Sequence, residues 1–250
     1  MATPCRPGID GKKTCFSKDL YMSLKALASD ECQSNDMDLV RSASKQNRSL
    51  GDKARQFLRP EMPDSWRDDP NTWLSNHDID KVMKQYAETY PEFVYLTTQP
   101  SDFMSKKANG TCVSDHCDKK WTCEEKLYGS VVNIDTHKQG GSHWVGLILD
   151  CRNLKKPVSY FYDSVGSPYP RTLNSFFKSC RKQFKGSARK YFLENSAFNT
   201  KQHQTGGSEC GMHSLQFMDA MVRGQSFDDY CAEDHHDTEV FEKRMLFFSA

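Results

Sequence analysis

A chain of 250 residues with 37% hydrophobic and 27% charged side chains fits a soluble globular protein of one large or two small domains. Thirty-four basic residues against thirty-three acidic ones leave a net charge of +1, which excludes a polybasic nucleic-acid binder or an acidic tail, though not a local patch. The opening "MATPCRPGIDGKK" has no apolar signal core and the apolar run "VGLIL" at 145–149 is too short to span a bilayer, so the expectation is a soluble intracellular protein whose ten scattered cysteines stay reduced.

The N-terminal third reads as short helices. In "SKDLYMSLKALAS" Ser17 is placed to cap a helix whose Leu20, Leu24 and Leu27 share one stripe. "RPEMPDSWRDDPN" (59–71), with three prolines and alternating charges, reads as a linker, so the expected organisation is a helical extension over 1–65 and a core domain over 66–250. In "WLSNHDIDKVMKQYAETY" Asn76 is taken as the cap, and Ile79, Val82, Met83 and Tyr86 form the buried face.

From about residue 128 the period changes to strands: "GSVVNID", "HWVGLILD" and "VSYFYDS". Helices are expected over "RTLNSFFKSCRKQF", over the run after Cys210 and over "DTEVFEKRMLFF", with a short strand near Phe192–Phe198. The fold class is therefore α+β, a sheet flanked by helices.

Chemistry enters at "HQTGGSECGMHSLQFM", residues 203–218. If a helix begins at Cys210, the sulfur sits where unpaired N–H groups and the helix dipole favour an anion. A buried structural cysteine explains that segment equally well. A nucleophilic thiolate needs a base, and of eight histidines His143 is best placed because it begins an apolar strand. His203 and His213 are weaker rivals, and His235 and His236 fall in an acidic, surface-like run. If "HWVGLILD" and "VSYFYDS" pair about residue 154, Asp163 returns to within a residue or two of His143. Asp150 lies about 23 Å along the same strand at roughly 3.3 Å per residue. Gln204, six residues before Cys210, can offer its amide to an oxyanion beside the Cys210 N–H.

The motifs "SHWVGLILD", "YFYDS" and "QTGGSECG", in that order, resemble the cysteine protease superfamily that includes the deSUMOylating enzymes and the adenovirus proteinase. Upstream, "WLSNHDIDKVMKQYAETYPEFVYLTTQPSDF" is similar to polyprotein-processing proteases of large DNA viruses, of the African swine fever virus type. The resemblance spans roughly 72–248. It implies His143 as base, Asp163 as its orienter, Gln204 as oxyanion donor and Cys210 as nucleophile. Trp144, Trp73 and Gly211 would line a channel that admits only Gly-Gly before the scissile bond, since side chains with a Cβ would not pass between the rings. It also implies capsid maturation in the host cytoplasm, in viral factories and in the virion. A protease for ubiquitin-like proteins and an inactive scaffold are the alternatives.

No cofactor or metal is called for. Cys112, His116, Cys117 and Cys123 are poorly spaced for zinc. The six basic residues in "KSCRKQFKGSARK" (178–190) are either a solvated helix face or a patch for nucleic acid or an acidic partner.

Overall fold

Ser17 accepts the Leu20 N–H and starts α1 (Lys18–Leu27), which buries Leu20 and Leu24 as the spacing predicts. The structure, a computed structural model, describes residues 5–8, 14–29, 35–117 and 123–249. Asn35 caps α2 (Asp36–Gln46), and Asn47 caps α3 (Arg48–Arg55). Their inward faces gather Leu20, Leu24, Leu39, Val40, Ala43 and Ala54 into a core of their own. A four-residue α4 (Ser65–Asp68) lies inside the expected linker and buries Trp66 against Phe248, with the Arg244 guanidinium 4.0 Å from its ring.

The chain divides into Met1–Pro70 with Glu242–Ala250, and Asn71–Phe241. The expected boundary at 65/66 would cut α4. Residues 242–250, assigned from the sequence to the core domain, belong with the first unit. Met62 N–H bonds to Ser249 O and Ser249 N–H to Pro60 O, backbone pairing over long range that no local pattern announces.

In the second unit α5 (Asn76–Thr89) buries Ile79, Val82, Met83 and Tyr86 as expected. Its cap is Ser75 rather than Asn76: Ser75 and Asp78 bond each other's backbone N–H reciprocally. The strands are β1 (Phe93–Tyr95), β2 (Gln99–Pro100), β3 (Leu127–Asn133), β4 (Trp144–Asp150), β5 (Val158–Tyr162) and β6 (Ala197–Phe198). Their order is β1-β3-β4-β5-β6, with β2 also on β3. The pairs β3–β4 and β4–β5 are antiparallel, and the outer strands run parallel to their neighbours.

After a 3₁₀ turn at Arg171–Leu173 come α6 (Asn174–Gln183) and α7 (Gly186–Asn195). The short strand expected near Phe192–Phe198 is β6 at Ala197–Phe198, while Phe192 itself lies on α7. Together with Leu147, Leu149, Phe161, Leu173 and Phe176 it packs into one apolar core cluster. Against β3 and β4 lies α8 (Cys210–Val222), followed by α9 (Phe227–Ala232). Two strand glycines let α8 approach: a Cβ on Gly146 would stand 2.3 Å from the Phe217 ring, and one on Gly129 2.4 Å from Met218. The expected last helix is broken into α10 (Asp237–Glu242) and α11 (Arg244–Phe247).

The expectation of reduced thiols fails at three pairs: Cys5–Cys15, Cys112–Cys117 and Cys123–Cys151 are disulfides. Their Cα atoms lie 5.2–5.9 Å apart, within bonding reach, and the Cys123–Cys151 pair is brought together across 28 residues by the fold. No described helix is long and apolar enough to cross a membrane.

Candidate active site

The β4–β5 ladder pairs Asp150 with Val158 and Gly146 with Tyr162, a hairpin centred on residue 154. One step further along this register sets Asp163 opposite Val145, two residues from His143. There His143 Nε2 lies 2.6 Å from Asp163 Oδ1. The Asp163 carboxylate is 5% exposed and also accepts the Val165 N–H. Its backbone is clamped by buried Asn199, whose Oδ1 accepts the Asp163 N–H and whose Nδ2 donates to the Asp163 carbonyl. Asp150, at the far end of β4, is engaged by the Arg152 guanidinium.

Cys210 is the first residue of α8 and is buried. Among the described residues no side chain caps this helix. Glu209, in the cap position, instead accepts the N–H and hydroxyl of Ser208. The first-turn N–H groups of α8 stay open to an anion beside the sulfur. The His143 ring is hydrogen-bonded to Asp163, and Cys210 lies close enough to favour its charged form. With Nε2 on Asp163, Nδ1 is left for the thiol. Burial pushes the imidazole pKa down, but the bond to Asp163 and the nearby Cys210 outweigh it and hold the ring at about 9. The ring is therefore cationic at neutral pH.

Gln204 is buried and doubly fixed. Its Oε1 accepts the Ser164 hydroxyl at 2.6 Å and its Nε2 donates to Gly206 O at 2.9 Å. The backbone N–H groups of His203 and Gln204 both bond to Ser164 O. The amide thus has its oxygen pinned and, among the described residues, one N–H uncommitted. Beyond it, the Asp237 carboxylate accepts the Thr205 N–H and hydroxyl and the Gly206 N–H.

Trp144 Nε1 donates to Leu74 O at 2.9 Å. Leu74 in turn abuts the helix start, since a Cβ on Gly211 would lie 3.1 Å from Leu74 Cβ. The hydrogen-only face of Gly211 is thus filled by Leu74. Trp73, next in sequence, is 45% exposed. Beside Trp144 a cleft of about 220 Å³ is lined by Asn76, His137, Gly140 and Gly141. Gly141 has φ +88, and a Cβ there would meet Asn133 Nδ2 at 2.7 Å, so its backbone requires glycine.

The rival histidines have other partners. His203 is buried against the Tyr162 hydroxyl, and burial, with His235 nearby, drives it to about 4. His235, expected on the surface, is buried and stacks on Tyr230. His213 faces Asp237. The sequence reading missed Ser164, Asn199 and Asp237. Ser164 carries a weak signal, being the polar residue after Asp163 at a strand end. Asn199 and Asp237 carry none, because their partners lie 36 and about 32 residues away.

A thiol at an open helix start, facing a histidine that a buried carboxylate orients, on an α+β core, defines the thiol-protease class. The chain belongs to the Ulp1 protease family, whose C-terminal catalytic domain it matches over residues 80–246. It is 26% identical over 176 residues to a protein of Acanthamoeba polyphaga mimivirus assigned to the thiol proteases, covering 70% of this chain and 56% of that one. It thus spans little more than half of that relative's length. It is 23% identical over 263 residues to the SUMO-1 cysteine protease of African swine fever virus, covering 98% and 94%. The crystal structure of an African swine fever virus protease superposes with a TM-score of 0.71 at 17% identity, covering 99% of this chain and 96% of that one. That likeness is one of fold.

Proposed function

We propose that this thiol protease is an endopeptidase that cuts polypeptides after Gly-Gly and processes polyprotein precursors of a large DNA virus. The observation that carries the chemistry is His143, held between Asp163 and Cys210 at the uncapped start of α8.

In this reading His143 already holds the proton, and the Cys210 sulfur attacks the scissile carbonyl carbon. The oxyanion takes N–H bonds from the Cys210 backbone and from the free N–H of Gln204. The imidazolium then protonates the leaving amine as the C–N bond breaks. Water, deprotonated by the same ring, releases the acyl group from the sulfur. Asp163 keeps the ring in the tautomer and orientation both transfers need.

Gly-Gly specificity is supported by Trp144, tied through Leu74 to the segment that carries exposed Trp73 and abuts Gly211. A backbone without Cβ atoms is the natural occupant of a slot between indole walls. The maturation role, in the viral factory and virion, is supported by relatives in two large DNA viruses. The SUMO-directed name of one relative favours a second reading, a ubiquitin-like protein as substrate. The basic 178–190 stretch, carried by α6 and α7, is then a docking patch for an acidic partner or nucleic acid.

The test is cleavage of Gly-Gly-X peptides beside SUMO and ubiquitin fusions. Cutting of peptides, lost with Gly→Ala next to the bond, supports the first reading. Cutting of fusions alone supports the second.

A further inference from the structure

The loop between Gln204 and Cys210 must hold an amide and a thiol in register, yet it contains two adjacent glycines and no regular structure. One side chain from far along the chain ties it down. Asp237 Oδ2 accepts the Thr205 N–H at 2.9 Å, the Thr205 hydroxyl at 2.8 Å and the Gly206 N–H at 2.7 Å. Its other oxygen lies 3.0 Å from Nε2 of His213, one turn past Cys210 on α8. One carboxylate therefore links the loop behind Gln204 to the helix that carries the nucleophile.

The loop is tight on its other side as well. A Cβ on Gly206 would lie 2.7 Å from Glu209 Oε2 and 3.4 Å from Asp237 Oδ2, so Gly206 threads between two carboxylates. Gly206 O accepts the Nε2 hydrogen of Gln204 that is not left for substrate. Displacing Gly206 therefore turns the Gln204 amide. Removing Asp237 would also leave two backbone donors and the His213 N–H without their acceptor.

We propose that Asp237 is a positioning residue for the oxyanion donor: by holding Thr205 and Gly206 against His213 it sets the direction in which the Gln204 amide points. This rests on the reading of Gln204 as that donor. Asp237 touches no substrate. Its action is confined to the transition state, and the pairing of Cys210 with His143 does not pass through it.

The experiment compares Asp237→Ala, Asp237→Asn, Gln204→Ala and the double variant on a Gly-Gly-X peptide, with the alkylation rate of Cys210 by iodoacetamide measured in each. Loss of an oxyanion donor costs about 10²–10³ in kcat, so Gln204→Ala should fall in that range. Asp237→Ala should lower kcat by about tenfold to a hundredfold with KM and the alkylation rate unchanged. Asp237→Asn, with the same volume and one acceptor oxygen, should recover part of the loss, and it remains informative if the alanine variant folds poorly. The double variant should be no slower than Gln204→Ala alone. Multiplying effects, a change in KM alone, or alkylation that falls in step with kcat would overturn the proposal. So would full activity in both Asp237 variants beside a slow Gln204→Ala. A fully active Gln204→Ala would instead remove the oxyanion reading and this proposal with it.

Discussion

Two histidine–carboxylate pairs stand near Cys210, and they behave oppositely. His143 lies 2.6 Å from Asp163 and is raised to about 9; His213 lies 3.0 Å from Asp237 and is lowered from its ordinary value. Burial pushes both rings down. At His143 the short bond to Asp163, with Cys210 close on the other side, reverses the outcome. At His213 the side chain is fully buried, Nδ1 has no partner among the described residues, and His235 adds repulsion. Asp237 stays below its ordinary pKa despite burial, because His213 and Thr205 donate to it. A ring with acceptors on both nitrogens can hold and pass a proton. One with a single acceptor in an apolar setting serves as a neutral N–H donor.

The strongest way to break this comparison is to exchange the two pairs' importance. Cys210→Ala and His143→Ala should abolish peptide cleavage with the fold intact by circular dichroism, whereas His213→Gln, which keeps a donor for Asp237, should cost less than about tenfold. Equal damage from His213→Gln and His143→Ala would mean that both rings carry protons. Iodoacetamide at mildly acidic pH should label Cys210 ahead of Cys180 and Cys231, whose thiols burial pushes up, the latter to about 12.

Next in size is the orienting carboxylate. Asp163→Ala should lower kcat by orders of magnitude, and Asp163→Asn less, since an amide oxygen still accepts the ring N–H. Asp150→Ala removes only the partner of Arg152 and should leave kcat within a factor of two or so, on the order expected of a surface change. Comparable losses at 150 and 163 would contradict the hairpin register.

The pH profile then separates the two environments. His143, raised to about 9, is protonated below that value and gives up its proton above it. Turnover that needs the imidazolium to protonate the leaving amine should fall as pH rises through about 9. A rate that is flat to pH 10.5 would show that the ring acts neutral.

The smallest effect concerns stability. His203, at about 4 when folded against an ordinary 6.5, is neutral in the native state while the unfolded chain takes up a proton. The stability this confers is present above pH 6.5 and is lost as pH falls toward 4, by about 3.5 kcal/mol at most at about 1.4 kcal/mol per pH unit. The thermal midpoint should drop over that window, and His203→Gln should flatten the drop. An unchanged slope would place the acid sensitivity elsewhere.

Much of the site was legible because its signals are local. The period of two in "HWVGLILD" and "VSYFYDS", together with the turn between them, set the register that brings Asp163 to His143. The spacing Gln204–Cys210 and the amphipathic run after it marked the helix start. The α5 stripe was read correctly, but its cap was misplaced by one residue, because Ser75 and Asn76 are both good caps and only the reciprocal bond with Asp78 separates them.

What the chain order could not express were contacts between distant segments. Cys123 and Cys151 bond across 28 residues, residues 242–250 join a unit that begins at the other end of the chain, and His235 is buried despite its acidic neighbours. Asn199 and Asp237 belong to the same class, polar side chains whose partners lie about 36 and 32 residues away. Periodicity and capping report energies that neighbouring residues exchange, and these are written in the sequence. The groups that hold Asp163 and Gln204 in place act across the fold, where satisfying buried donors depends on which segments tertiary packing brings together.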